Sequence, residues 1–96
     1  MEMKNSHFFY VLRCQDQSFY AGYARDVMRR LEEHNAGVGC KYTRVRRPVE
    51  LIHAEGFDTR SEAMKAEYAF KQLTRKQKEG YLERSQHYAN TILSSI

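Results

Sequence analysis

The chain has 96 residues, of which 42% are hydrophobic and 29% are charged, as is usual for one small globular domain. Its longest apolar run, Phe8–Leu12, is far shorter than the roughly 20 residues of a membrane-spanning helix, and no signal-peptide core follows Met1. We therefore expect no membrane segment. The formal net charge of +4 mildly favours a polyanionic partner such as nucleic acid.

Two aromatic, apolar segments at the start of the chain predict a β-hairpin. Residues 7–14 are largely apolar at consecutive positions, which indicates a strand that is covered on both faces and central in its sheet. The polar turn Gln15-Asp16-Gln17 separates it from residues 18–23, which predict its antiparallel partner. Because side chains alternate along a strand, Tyr20 and Gly22 are expected on the same face.

Four of the seven tyrosines lie near this hairpin or in the loop that follows the first helix: Tyr10, Tyr20, Tyr23 and Tyr42. A buried tyrosine is most often a large hydrophobic side chain whose hydroxyl group has found a partner. A phenol can instead hold or deprotonate a water molecule when a nearby cation or metal lowers its pKa from about 10. The sequence leaves both interpretations open.

The first helix is predicted over residues 27–36, because Asp26 is a good N-cap and Gly37 a good C-terminal stop. Arg30 and His34 lie four residues apart and share one face of this helix. An arginine offers paired donors to a phosphate and keeps its charge at every physiological pH. The charged residues around them favour the alternative, a solvated helix face.

Residues 37–48 predict a basic loop that ends at Pro48, just before the next strand. Lys41 and Arg44 are among its cations, and Tyr42 lies between them. One interpretation is contact with phosphate groups, which would make binding strongly dependent on salt. The other is a solvated loop.

Residues 49–54 predict the third strand, and a capping box at Thr59 predicts a helix over residues 60–73. The apolar stripe of this helix has helical spacing and consists of Ala63, Ala66, Phe70 and Leu73. Glu67 points with the stripe, where a carboxylate must be neutralised, paired or bound to a metal. The alternative is an edge position whose side chain turns to solvent or pairs with an arginine.

A second capping box at Thr74 predicts a further helix that reaches about Glu83. A second cluster of basic residues surrounds this box: Lys71, Arg75, Lys76 and Lys78. Residues 84–96 are weakly patterned and are expected to be a helical extension or disordered. We therefore expect one domain over residues 7–83 and a separate C-terminal tail.

In their order and spacing these residues resemble the GIY-YIG nuclease domain over about residues 7–83. The two tripeptides that name the family correspond to Phe8-Phe9-Tyr10 and Tyr20-Ala21-Gly22, with a short turn between them. Phenylalanines stand where the first tripeptide has glycine and isoleucine. The resemblance implies an α+β fold in which helices flank a small three-stranded antiparallel sheet.

The later family motifs have counterparts in the helices. Arg30 lies ten residues after Tyr20, and the stretch containing His34 follows it. Glu67 corresponds to the metal-binding glutamate of a later helix, and its surroundings are similar to those of short stand-alone bacterial members of the family.

The resemblance implies hydrolysis of a DNA phosphodiester bond by water, with one divalent ion, Mg²⁺ or Mn²⁺. It also implies a role for individual residues: Tyr20 as the first choice for the general base with Tyr10 in support, Gly22 for close approach of the backbone to substrate, Arg30 as the clamp on the scissile phosphate, Glu67 as the metal ligand, and Tyr23, His34, Lys41, Arg44 and Lys71 as substrate contacts.

The function implied is an endonuclease that acts in DNA repair or in the processing of branched or single-stranded DNA. Two alternatives stay open: a nucleic-acid-binding module without catalytic activity, and an interaction subunit of a larger repair complex in which a protein partner supplies the targeting. Cys14 and Cys40 lack the spacing of a metal site and fit free thiols in a reducing cytoplasm.

Overall fold

The structure, a computed structural model, describes the backbone of residues 6–94 and the side chains of residues 6–85. Three antiparallel strands form one sheet in the order β2-β1-β3. The predicted α+β class is confirmed. The elements in chain order are β1 at His7–Arg13, β2 at Phe19–Ala24, α1 at Val27–Asn35, α2 at Lys41–Arg44, β3 at Glu50–Phe57, α3 at Arg60–Lys71 and α4 at Arg75–Ser94.

The central strand β1 carries the core on both of its faces, as its continuous apolar sequence predicted. Phe9 and Val11 point to one side of the sheet, where they pack with side chains of α3 and α4. Tyr10 and Leu12 point to the other side, where they pack with side chains of α1. The helices α1 and α3 therefore lie on opposite faces of the sheet.

The predicted helix starts are confirmed by their capping hydrogen bonds. The carboxylate of Asp26 accepts a hydrogen bond of 3.1 Å from the backbone N–H of Arg29 at the start of α1. Thr59 and Glu62 form the reciprocal capping box of α3. Along α3, Ala63 and Phe70 of the predicted apolar stripe are buried in the core.

Several element boundaries differ from the prediction, and α3 ends at Lys71 rather than at residue 73. The basic loop contains the one-turn helix α2, and β3 continues to Phe57, which pairs with His7 of β1. The helix α4 continues to Ser94 rather than ending near Glu83, because no glycine or proline interrupts residues 84–94. The division into a domain and a tail stays a prediction, and residues 95 and 96 lie outside the described part of the chain.

Polar groups beneath α4 are paired with one another. The carboxylate of Glu55 accepts hydrogen bonds from the Tyr81 hydroxyl of α4 and from His53 Nε2, which lies 2.7 Å away. The hydrogen bond from His53 keeps the pKa of Glu55 below its ordinary value. None of the helices within residues 6–94 has the length and apolarity needed to span a membrane.

We expect the substitution Phe70→Ala to lower the free energy of unfolding by about 3–5 kcal/mol, because it leaves a cavity in the core between α3 and β1. The ring of Phe70 is 3% exposed and packs against Phe9 and Tyr81. Urea denaturation measures the change. The matched control is Met64→Ala on the exposed side of α3, for which we expect a change within about 0.5 kcal/mol. Equal costs for the two variants would contradict the packing described here.

Candidate active site

The free edge of β2 is where the predicted site residues meet. Tyr10 of β1 lies opposite Gly22 of β2, and its phenol extends across the glycine towards this edge. A Cβ atom on Gly22 would stand only 2.6 Å from Tyr10 Oη. The space on the Cβ side of Gly22 is therefore filled by Tyr10, and close approach of substrate to the Gly22 backbone stays a prediction.

A buried chain of three side chains begins at the Tyr10 hydroxyl. Tyr10 Oη lies 3.0 Å from His34 Nε2, and His34 Nδ1 lies 2.7 Å from Thr43 Oγ1 of α2. His34 and Thr43 are both 0% exposed. These hydrogen bonds link the central strand to α1 and to α2, the one-turn helix within the predicted loop.

His34 therefore lies neither on a solvated helix face nor at a surface position that could contact phosphate, the two interpretations that its sequence allowed. Its complete burial excludes a solvated helix face, and it also prevents direct contact with a substrate phosphate in this conformation. Gly39 allows this burial, because a Cβ atom there would lie 2.7 Å from His34 Cγ. His34 is hydrogen-bonded to Tyr10 inside the core instead of reaching the surface.

The hydrogen bonds of Thr43 define the tautomer of His34. We assign the Thr43 hydroxyl proton to the Cys40 carbonyl group, 3.4 Å away, which makes Thr43 the acceptor for Nδ1–H of His34. Nε2 is then the unprotonated nitrogen, and it accepts a hydrogen bond from Tyr10 O–H. Burial lowers the pKa of His34, which keeps the imidazole neutral and able to accept.

Tyr20 lies beside this chain and is held by rings on two sides. Its ring makes an edge contact with His34 at a centroid distance of 5.1 Å, and it stacks against Tyr42 at 6.0 Å. The guanidinium group of Arg46 covers Tyr42 at 3.8 Å and is anchored to Asp16 by an ion pair of 3.1 Å. Tyr42 of the basic loop therefore positions the ring of Tyr20.

Both phenols are protonated in the environment that the protein provides. Burial raises the pKa of Tyr20, and the hydrogen bond with the Cys40 thiol raises it further. Burial also raises the pKa of Tyr10, although the neighbouring Arg30 opposes that shift. Burial raises the pKa of Cys40 as well, but hydrogen bonds with Thr43 and Tyr20 outweigh it and leave the thiol pKa below its ordinary value.

Arg30 brings a fixed positive charge to the same place. Its guanidinium group donates to Glu33 Oε1 at 2.9 Å and to the Gly39 carbonyl group at 3.0 Å. About a third of the Arg30 side chain, 32%, is exposed to solvent. Its donors are therefore used by Glu33, by Gly39 and by the Tyr10 hydroxyl, and the remaining ones can reach a phosphate at the surface.

Glu67 reaches the site from the other face of the sheet. Its side chain is 15% exposed, and Oε2 forms an ion pair of 2.6 Å with Lys71 Nζ, one turn further along α3. Its charge acts on Tyr10, where it contributes to the raised phenol pKa. A cleft of about 220 Å³ passes around the β2 edge and is lined by Phe19, Tyr20, Ala21, Tyr42, Phe70, Lys71 and Lys78.

Glu67 also fits the role of a ligand to a hard divalent ion. Its oxygen donors are of the kind that Mg²⁺ and Mn²⁺ prefer. Within the described side chains, no group of three or more histidines, cysteines, aspartates and glutamates could hold an ion. One carboxylate with water and substrate oxygens suits Mg²⁺, which keeps much of its water shell.

The remaining predicted contacts lie farther from this cluster. Tyr23 points to the α3 side, where its hydroxyl lies 2.7 Å from His7 Nδ1 and its ring faces Arg60. Lys41 and Arg44 are exposed on α2. The sequence prediction assigned no role to Cys40 or Thr43, because nothing in the local pattern indicates that residues of a loop are buried against a helix.

A search against protein families matched residues 6–81 to the GIY-YIG catalytic domain. The chain is 65% identical to the UPF0213 protein lin0209 of Listeria innocua over 82 residues, which cover 85% of this chain and 91% of that protein. It is 60% identical to the UPF0213 protein YazA of Bacillus subtilis over 88 residues, which cover 92% and 89%.

Among solved structures, the fold is similar to the solution NMR structure of protein EF2693 from E. faecalis. The TM-score is 0.60 at 65% sequence identity, and the match covers 90% of this chain and 92% of that one.

We expect Thr43→Val to lower the free energy of unfolding by about 1–3 kcal/mol, because His34 Nδ1 loses its hydrogen bond with the Thr43 hydroxyl group in a buried position. The matched control Thr43→Ser keeps the hydroxyl group and should retain most of that stability. Chemical denaturation measures both variants.

The imidazole ¹⁵N shifts of His34 should report a protonated Nδ1 in the wild type and in Thr43→Ser, and a different tautomer balance in Thr43→Val. Unchanged ¹⁵N shifts in Thr43→Val would contradict the role assigned to Thr43.

The lowered pKa of His34 also predicts a pH dependence of stability. Below pH 6.5 the unfolded chain binds a proton at this imidazole that the folded protein does not bind, so acidification favours unfolding. The free energy of unfolding should fall by up to about 1.4 kcal/mol per pH unit from this group, until the pH reaches its folded pKa. His34→Gln should lack that component in denaturation curves recorded across this range. Parallel pH profiles for the two proteins would show that His34 does not titrate in this way.

Proposed function

The chain belongs to the GIY-YIG family of nuclease-type catalytic domains, and we propose that it is an endonuclease that hydrolyses phosphodiester bonds of DNA with Mg²⁺ or Mn²⁺. The observation that carries the proposal is the grouping of Tyr10, Tyr20 and Arg30 beside β2, with the Glu67 carboxylate near enough for its charge to act on Tyr10. A module that only binds nucleic acid has no need of a half-buried carboxylate, which repels phosphate.

Arg30 is proposed to bind the scissile phosphate. The bonds to Glu33 and to the Gly39 carbonyl group fix the direction of its guanidinium plane before substrate arrives. A donor that is already oriented stabilises charge as it develops on the phosphate without reorganisation during the reaction.

Glu67 is proposed to hold the divalent ion. When bound, such an ion acts as a Lewis acid on the phosphate and lowers the pKa of nearby water and phenol groups. Tyr20 lines the cleft and is therefore the phenol that we place against the attacking water. Its raised pKa makes it a donor that orients water until a nearby cation lowers that pKa.

Tyr10 is proposed to support Tyr20 from within the core. It is only 1% exposed, so it contacts the cleft less than Tyr20 does. Its hydroxyl proton is directed to neutral His34, and its oxygen accepts a hydrogen bond from the Arg30 guanidinium group. His34 and Thr43 therefore act as positioning residues for this phenol.

The proposed substrate is DNA because of the family and the basic surface, and branched or single-stranded DNA in repair is the proposed setting. The exposed cations of α2 and the lysines of the cleft give the site a positive approach to a phosphate backbone. The free thiols Cys14 and Cys40 support a reducing, cytoplasmic environment. A protein partner could supply targeting in that setting.

The test is a cleavage assay on labelled single-stranded, duplex, flap and four-way DNA, with Mg²⁺, with Mn²⁺ and with chelator. We expect metal-dependent cutting that Glu67→Ala abolishes and that Arg30→Ala slows by about 10²–10³-fold, as for loss of one transition-state donor. Chelator should act like Glu67→Ala. The control Arg29→Ala removes an arginine of the same helix whose side chain is mainly exposed, and it should leave most of the rate.

The alternatives give different results in the same assay. Salt-dependent binding without cutting, unaffected or strengthened by Glu67→Ala, would identify a binding module. Neither binding nor cutting at physiological salt would favour an interaction subunit that requires a partner. Cutting that persists in Glu67→Ala would refute the role of this carboxylate as metal ligand.

A further inference from the structure

The carboxylate that would hold the ion is already paired with a cation of the protein. Lys71 Nζ lies 2.6 Å from Glu67 Oε2, and both residues belong to α3. We propose that Lys71 is a counter-ion that responds to substrate: it neutralises Glu67 in the free protein and moves to a phosphate group when nucleic acid enters the cleft. This inference rests on the proposed function, and it adds that the ion and the nucleic acid bind cooperatively.

The two partners of this ion pair differ in how freely they can move. The Glu67 side chain is largely buried, with 15% of it exposed. The Lys71 side chain is 50% exposed and carries its charge on a flexible stem of four carbons. The lysine can therefore leave the carboxylate without any change in the packing of α3, whereas the more buried carboxylate has less room to follow it.

Lys71 and a divalent ion compete for the same oxygen atom. An ammonium group at hydrogen-bond distance occupies Oε2, and its positive charge repels a dication that approaches the carboxylate. In the part of the chain with described side chains, no other acidic or imidazole groups join Glu67 in a cluster that could compensate for this repulsion. The free protein should accordingly bind divalent ions weakly.

A phosphodiester in the cleft removes this competition. Lys71 and Lys78 both line the cleft that contains Tyr20, so a phosphate there offers Lys71 a second anion. The phosphate oxygens also add ligands for the ion that Glu67 alone cannot provide. Each of the two ligands then strengthens the binding of the other by the same factor, as linkage requires.

Arg30 shows that this behaviour is not a general property of the ion pairs in the site. Arg30 is paired with Glu33, but its second donor is bound to the Gly39 carbonyl group, which holds it when substrate arrives. Among the described residues, Lys71 has no hydrogen bond to a backbone carbonyl group like that of Arg30. Its ion pair with Glu67 lies within one helix. The site thus combines a fixed cation for phosphate with a mobile one.

The experiment measures the affinity of the protein for Mn²⁺, from the electron paramagnetic resonance signal of the free ion, without any cleavage. We expect Lys71→Met to bind Mn²⁺ more tightly than the wild type by about 5- to 150-fold, the usual range for coupling between two sites. Lys71→Arg keeps the cation and should bind as weakly as the wild type. The control Lys65→Met removes the same charge from an exposed position of α3 and should have no effect.

A phosphorothioate oligonucleotide that resists hydrolysis, single-stranded or annealed, serves as the probe for substrate. It should strengthen Mn²⁺ binding by the wild type and strengthen it much less in Lys71→Met, where the competing charge is already absent. The added affinity of Lys71→Met should disappear when Glu67→Gln is combined with it.

Two results would overturn the inference, and they differ in what else they refute. If Lys71→Met binds Mn²⁺ no more tightly than the wild type while Glu67→Gln weakens both, the ion binds at Glu67 but Lys71 does not control it. In that case the proposed function stands. If Glu67→Gln changes Mn²⁺ binding in neither background, the ion does not bind at Glu67, and the metal-dependent mechanism proposed above fails together with the inference.

Discussion

The hydrogen bond between Tyr10 and His34 is the interaction on which the arrangement of the site depends. It joins the central strand to α1 inside the core, where an unpaired polar group would be costly. Several local features follow from it. Gly22 must lack a side chain so that the phenol can cross β2, and Gly39 must lack one so that the loop can close over the imidazole. Thr43 must supply a hydroxyl group, and α2 is the turn that places it there.

The site lies at an edge of the sheet for a physical reason. The central strand β1 is covered on both faces, so groups from opposite faces cannot reach a common substrate across it. At β2 the sheet ends, and Arg30 from one face and Glu67 from the other can act on the same small region. The edge strand that is often a liability for pairing with other chains is here covered by aromatic and charged side chains.

The elements of the fold were predictable because their signals are local. Apolar periodicity, the caps at Asp26 and Thr59 and the stripe of α3 each depend on a few neighbouring residues. The chain linking Tyr10, His34 and Thr43 was not predictable in this way, since it joins residues from three elements. For the same reason the sequence indicated a solvated face for His34, whose charged neighbours on α1 say nothing about a loop that folds back over it.

Two ion pairs of the site have similar N–O distances but differ in how firmly their cations are held. Arg30 and Glu33 are joined at 2.9 Å, and Lys71 and Glu67 are joined at 2.6 Å. Distance alone would rank the second pair as the stronger, yet an exposed lysine pays entropy to stay in one place and is easily screened. The first pair is braced by a backbone carbonyl group, which fixes the orientation of the cation proposed to bind phosphate. The second has no such brace, and its weakness leaves the carboxylate free to change partners as the charge in the cleft changes.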